Sequence, residues 1–477
     1  MEFNNHVNEL TTAEYIGIQI DDFEKSPQYK WMQDGKMYYR GENTKIAGRT
    51  MLRYENERQV VDLAKPNNRL KHAFLNLLVD DKINYLLSKP LTMDCENDGY
   101  LQSVKEILGR NFQRYLIKLG TDAAAKGISW LHPYIDENGG FRIKMVNGEQ
   151  VVPAWADDEH EDLANVVWFY PVEMWEGKAK TVVIKAEYWT ADGVSYWVRD
   201  GRFFGGFILD AERYFDDDIQ IDDKGELQQH FKVGSGAGAW GRVPFIAFKN
   251  NDYEMSDLQP IKSLIDDYDK TTSDLSNSIE DMKSTIFALR GYGGENFSEF
   301  LRDLSYYKVI NLDDDGGLET HNPTINVESF KEHYDALRKD IYTFGQGVDK
   351  DNDRFGSAPS GTALKFMYSG LDLKCNKLES TFRQGFNKLM YFVNEYMKLT
   401  SQAVPAEPNI NLIFNRDIAI NESQTIADCQ ASVGLLSKET ILARHPWVKD
   451  VPQELERLEA EAMENSVYEL PDDTKIE

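Results

Sequence analysis

LQPIKSLIDDYDKTTSDLSNSIEDMKSTI, residues 258–286, places Ile261, Ile265, Tyr268, Thr272, Leu275, Ile279, Met282 and Ile286 at alternating steps of four and three. That spacing draws one narrow apolar stripe along a helix and leaves its flanks polar. The rhythm returns at Phe330, Tyr334, Leu337, Ile341, Phe344 and Val348. It returns again after Pro359, from Leu364 and Tyr368 through Leu371, Cys375, Leu378, Phe382, Phe386, Leu389 and Val393 to Tyr396. Proline cannot continue a helix, so the third one starts beyond it. Over 362–399 it would reach about 57 Å at about 1.5 Å per residue. Narrow stripes suit helices packed side by side, either within one chain or between copies in a ring. Periodicity alone favours the intrachain bundle.

The rest of the chain reads as an α+β protein that is mainly helical. Residues 1–30 are expected to form a polar arm with a short helix, followed by a helix or turn and an extended segment closed by Gly41. Helices are expected at 67–89, ending before Pro90, and at about 101–126, ending at Gly127. Extended segments follow at 128–134, 141–146, 166–170, 181–190 and 194–198, rich in β-branched and aromatic residues and separated by glycine turns. An acidic loop over 209–229 and a glycine-rich run, Gly234–Gly241, lead to a strand at 243–248. Between the first two striped helices, 287–325 reads as a small insert: strands at 287–290 and 308–312 around a helix at 298–304. Pro405 and Pro408 mark a linker, Ile410–Phe414 a short strand, and two or three helices fill 421–464.

Composition narrows the chemistry. The chain of 477 residues holds 80 acidic against 53 basic residues, a formal charge of −27. Such a surface repels nucleic acid on average, since phosphate gripping needs basic residues. It suits solubility, and equally a conduit through which DNA slides without sticking. Cys95, Cys375 and Cys429 form no CxxC pair, which argues against a disulfide framework or structural zinc. No secretion signal or membrane span is expected, for no run approaches 18 apolar residues.

Catalytic motifs fail when tested. Gly236 and Gly241 have the separation of a Walker A loop, but Arg242 and Val243 stand where its lysine and hydroxyl residue belong. Asp349, Asp351 and Asp353 start like a calcium loop, yet Arg354 replaces the glycine and Ser360 the glutamate. Asp80–Asp81 and the aspartate triplets would serve a two-metal nuclease only if folding gathered them; acidic clusters are usually solvated surface. No catalytic residue, metal or cofactor is expected. The loop DKDNDRFGSAP, residues 349–359, is different in kind, because two striped helices bound it and it mixes Lys350 and Arg354 with acids. It is either an ordinary solvated connection or a loop presented toward an axis, where it would touch a polymer passing through.

Six segments in order carry a resemblance: Gly41–Ile46, NNRLKHAFLNLLVDDKINYLLSKP (67–90), WGRVPFIAFKNN (240–251), SDLQPIKSLIDDYDKTTSDLSN (256–277), SGTALKFMYSGLDLK (360–374) and LLSKETILARHPWVKDVPQELERLEAE (435–461). Together they resemble the portal proteins of tailed bacteriophages, of the siphophage class. The resemblance implies a ring, commonly of twelve subunits, at one capsid vertex, assembled in the host bacterial cytoplasm and carried in the virion. Double-stranded DNA would pass through it. The terminase large subunit, scaffolding and major capsid protein, and a head-completion or tail adaptor would be its partners.

Carried over by position, the resemblance implies a wing over 1–257, stem helices at 258–286 and 326–348, a clip at 287–325 and a tunnel loop at 349–360. A long wing helix and strand would cover 361–414, a crown 415–465 and a flexible tail 466–477. The residues facing DNA would be Asp349, Lys350, Asp351, Asn352, Asp353, Arg354 and Phe355. Stem faces between subunits would use Ile261, Ile265, Tyr268, Leu275, Ile279, Phe330, Tyr334, Leu337 and Ile341, and the clip would offer partners Tyr292, Phe297, Tyr306 and Tyr307. The alternatives are a helical-bundle metal-dependent nuclease and a generic oligomeric interaction protein.

Overall fold

The computed structural model describes residues 10–55, 58–63, 65–176, 178–200, 206–210, 213, 227–233, 236–281, 286–290, 317–321, 327–350, 361–416, 422–448 and 451–468. Two compact units divide the chain: Met1–Gly347 with Leu373–Asn415, and Val348–Asp372 with Arg416–Glu477.

The first unit opens with helices α1 (Thr12–Lys25) and α2 (Pro27–Tyr39), where the sequence suggests a polar arm with one short helix and then a helix or turn. Thr11 and Glu14 form a capping box: each side chain takes the other's backbone N–H, satisfying donors that a helix start leaves open. Ile16, Ile20 and Phe23 are buried in one core with Trp130, Val166, Val167 and Trp168. The arm is thus part of the core of the first unit. A short turn of helix, α3 (Thr44–Ala47), is capped by Asn43. Residues 67–73, expected to be helical, are extended, and α4 (Phe74–Leu87) begins only after them. The expected helix at 101–126 is two, α5 (Asp98–Leu108) and α6 (Phe112–Lys126), broken at Gly109, whose φ is +72°.

Strands β1 (Leu52–Glu55) and β2 (Arg58–Val61) make a hairpin, and β3 (Thr92–Asp94) pairs far along the chain with 411–413. Next come β4 (Ile128–Ile135), β5 (Phe141–Val146), β6 (Val151–Trp155), β7 (Leu163–Glu176), β8 (Ala179–Trp189), β9 (Val194–Asp200) and β10 (Ile208–Leu209). After β11 (Phe231–Val233) and β12 (Gly236–Gly238), β13 (Ile246–Lys249) completes the set. β10-β9-β8-β7-β6 form an antiparallel five-stranded sheet and β13-β4-β5 a three-stranded one. The run Gly236–Gly238 is a strand paired with β11, so the first of the two glycines that mimic a phosphate loop lies in a two-stranded ribbon and not in a loop.

Helices α7 (Lys262–Asp281) and α8 (Val327–Phe344) flank strands β14 (Ile286–Arg290) and β15 (Gly317–His321). Ile286–Arg290, the first strand expected in the insert, pairs with Gly317–His321; the expected helix 298–304 and strand 308–312 lie outside the described residues. Helix α9 (Gly361–Leu399) has the expected stripe: Cys375, Leu378, Phe382, Phe386, Leu389 and Val393 are buried, with Phe382 edge-on to Phe248 at 5.0 Å. β16 (Asn411–Ile413) is the strand expected at 410–414. The second unit contains α10 (Glu422–Ala431), α11 (Lys438–Leu442) and α12 (Val451–Tyr468).

Gly127 closes α6 at φ +98°, and a Cβ there would stand 2.0 Å from the Glu254 carbonyl oxygen. Gly127→Ala therefore meets both left-handed strain and backbone overlap. It is expected to destabilise the first unit by about 2–4 kcal/mol, read as a lower thermal midpoint. An unshifted midpoint would contradict the close approach.

Candidate stem and channel-loop site

Helices α7 and α8 lie against each other, with the rings of Tyr268 and Tyr334 4.5 Å apart. Phe74 of α4 closes the same contact, edge-on to Tyr268 at 4.9 Å and to Tyr342 at 6.2 Å. Ile261, Ile265, Tyr268, Leu337 and Ile341 are consequently buried by their own chain. Of the residues expected between subunits, Leu275, Phe330 and Tyr334 keep part of their surface and Ile279 is 53% exposed. Half of the stripe is thus intrachain core, and what faces outward lies toward the ends of the two helices nearest the insert.

The other flank of α7 is polar and holds residues 67–73 against it. Asp269, fully buried, accepts from the His72 amide at 3.0 Å, from the Asn43 side-chain amide at 2.8 Å, and pairs with His72 Nδ1 at 2.7 Å. One turn on, Ser273 Oγ accepts from the Leu70 amide at 3.0 Å; another turn on, Asn277 Oδ1 accepts from the Asn68 amide at 2.7 Å. Four helical residues advance about 6 Å, and two extended residues about 6.6 Å. Positions 269, 273 and 277 therefore match 72, 70 and 68 in antiparallel register, and an extended strap is held along a helix without a sheet. Tyr38 and Lys262 bind Asp266, and Arg49 binds Asp274, extending this polar seam. Burial, then the hydrogen bond to Asp266, pushes the Tyr38 hydroxyl far above its ordinary value. The sequence reading missed this seam, whose one local trace is polar residues at i, i+4 and i+8 on one helix.

A second buried polar cluster stands where α7 starts and α8 ends. Asp257 lies between two lysines: Lys82 Nζ at 3.3 Å and Lys374 Nζ at 3.1 Å. Lys82 also donates to Asn250 Oδ1 at 2.6 Å, and Lys374 to the Gly345 carbonyl at 2.8 Å. Asn250 in turn donates to Asp257 at 2.9 Å. Lys374 thus ties the long helix to the last turn of α8, where free carbonyls favour a cation. The loop begins four residues later, at Asp349. Sequence reasoning missed this cluster because Lys82, Asp257 and Lys374 are far apart in the chain and each sits in an ordinary helical or turn context.

Of the expected loop residues, Asp349 is half-buried and Lys350 exposed; Asp351, Asn352, Asp353, Arg354 and Phe355 lie outside the described residues. So do Tyr292, Phe297, Tyr306 and Tyr307 of the insert. Asp80 accepts from the Tyr39 hydroxyl at 2.8 Å, which gives it a structural partner within the first unit. Among the described residues no group of three or more His, Cys, Asp or Glu is placed to hold a metal, and no helix is long and apolar enough to cross a membrane.

The family described as "Phage portal protein, SPP1 Gp6-like" matches residues 21–468, a span that includes α7, α8, the strap and the segment between α8 and α9. The chain belongs to this portal family. The portal protein of Bacillus phage SPP1 is 32% identical over 445 residues, covering 93% of this chain and 85% of the relative. The portal protein of Clostridium phage phiCD119 is 31% identical over 454 residues, covering 92% of this chain and 94% of the relative. The portal chain is thus α+β and mainly helical, and its family is structural. Its buried charges at Lys82, Asp257 and Lys374 belong to a scaffold, where pairing and hydrogen bonds offset the cost of desolvation.

Proposed function

We propose that the chain is one subunit of a portal ring at a capsid vertex, a virion component through which double-stranded DNA enters and leaves the head. The observation that carries this reading is the family match over residues 21–468, nearly the whole chain. In this reading 258–286 and 326–348 are the stem, 287–325 the clip, 349–360 the tunnel loop, 415–465 the crown, and the ring holds about twelve copies. The wing takes 1–257 with the long helix, and assembly takes place in the host cytoplasm. Leu275, Ile279, Phe330 and Tyr334, which keep free surface, meet a neighbouring stem. The clip aromatics Tyr292, Phe297, Tyr306 and Tyr307 receive the terminase large subunit and later the head-completion or tail adaptor, while scaffolding and major capsid protein surround the wing.

The subunit does no chemistry of its own in this reading. An acidic chain repels phosphate along the channel, and Lys350 with Arg354 supplies brief contacts that DNA can leave. Electron microscopy of the purified protein is expected to show rings with a central channel; a monodisperse monomer at working concentration would overturn the proposal. Changing Lys350→Ala together with Arg354→Ala is expected to leave rings intact but weaken DNA retention in filled heads. The difference from the unaltered protein should narrow as salt rises, because the lost contacts are electrostatic. Equal retention at low salt would remove the loop from the mechanism.

A further inference from the structure

The second unit leaves four large apolar residues exposed within the short stretch 433–447. Val433 is 70% exposed, Leu435 82%, Leu436 54% and Trp447 72%. These residues are held in place: Val433 bridges Leu436, Cys429 Sγ donates to the Ile441 carbonyl, and Ser437 caps α11. Large apolar side chains fixed at a surface mark a contact site, because leaving them in water costs free energy that a partner would recover.

Charge says which partner. In a chain of formal charge −27, the segment 432–448 has Lys438 and Arg444 against Glu439 alone, and both cations are exposed. Helix α12, next in the chain, presents exposed Glu456 and Glu459 one turn apart on one face, while its Arg457 is taken by Glu454 at 3.4 Å. Among the described residues neither Lys438 nor Arg444 forms an ion pair within the chain, although α11 touches α12. A basic, apolar face and an acidic one, adjacent in sequence and unpaired within one copy, match each other between copies. A head-to-tail arrangement uses each face once per subunit and closes into a ring.

We infer that Leu435, Leu436 and Trp447, flanked by Lys438 and Arg444, seat against the acidic face of α12 of a second copy of this chain. The contact deepens the ring reading and rests on it. It also offers like-charged subunits a place where approach is favoured.

Charge reversal tests it without disturbing the fold, since the altered groups are surface-exposed. Lys438→Glu with Arg444→Glu is expected to lower the association constant between subunits by about tenfold or more, read as a loss of rings by analytical ultracentrifugation at fixed protein concentration. Circular dichroism and the thermal midpoint of the dissociated chain should be unchanged. Adding Glu456→Lys and Glu459→Lys to the same chain should restore rings. Rings undiminished by the first pair, or not restored by the second, would overturn the inference while leaving the portal reading standing. Absence of rings from the unaltered protein would overturn the portal reading itself. Trp447→Ala supplies a charge-independent arm: ring formation equal to the unaltered protein would count against the face.

Discussion

Asp257→Ala is expected to destabilise the first unit by about 3–5 kcal/mol, because removing one partner of a buried ion pair strands the other. Here two cations are stranded. Lys82 is fully buried and Lys374 nearly so, and the single carboxylate between them is their common counter-ion. Removing either lysine leaves a matched pair behind, so Lys374→Met should cost less, and Asp257→Ala with Lys374→Met should cost less than Asp257→Ala alone. That ordering separates a shared counter-ion from a simple loss of packing. Urea unfolding of the purified chain gives the comparison through the midpoint at constant slope. A loss below about 1 kcal/mol for Asp257→Ala, or a double variant worse than the single one, would refute the account.

The same cluster sets a pH direction. Burial pushes the Asp257 carboxyl up, but Lys374 and Lys82 together pull it further down, leaving it below the usual aspartate value of 3.8. The stabilisation is therefore complete above that unfolded value and is lost as pH falls through the lower folded one. Lys82 has the opposite character: burial outweighs Asp257 and holds its ammonium below the ordinary 10.5. On raising the pH it sheds its proton first in the folded chain, so this group adds stability through that window. Acid is the direction in which the cluster weakens.

Several elements were legible because a single periodicity decided them. The four-three rhythm from Ile261 gave helix α7, that from Leu364 gave α9, and alternating β-branched and aromatic residues gave the strands from Ile128 to Asp200. Periodicity could not say what covers a stripe. Ile261, Ile265 and Ile341 turn out to be buried by their own chain, whereas Ile279 stays exposed. The N-terminal arm was underread, although Ile16, Ile20 and Phe23 stand at helical spacing and the Thr11–Glu14 pair is a visible start signal. Residues 67–73 were read into a helix because Leu70 continues the apolar spacing of Phe74 and Leu77. Their extended form is dictated from outside, by side chains of α7 about two hundred residues later. Long-range polar pairing of this kind leaves little trace in local pattern.

That strap carries the other large expected effect. Asp269→Ala removes the acceptor for the His72 amide and for the Asn43 side chain, and deprives His72 Nδ1 of its partner. Each buried donor left unsatisfied costs about 1–3 kcal/mol, so a total near 3–4 kcal/mol is expected where the donors do not reach water. The commensurate register makes the loss spread. Ser273 and Asn277 hold the two residues further along, and once His72 is free their bonds must keep the extended chain in place unaided. Hydrogen exchange should therefore quicken at the amides of Asn68, Leu70 and His72 together, ahead of global unfolding. Asp269→Asn, which keeps one carbonyl oxygen for the His72 amide, should retain most of that protection. Exchange that quickens at His72 while Leu70 and Asn68 stay protected would mean three independent contacts, and the strap would not be a unit.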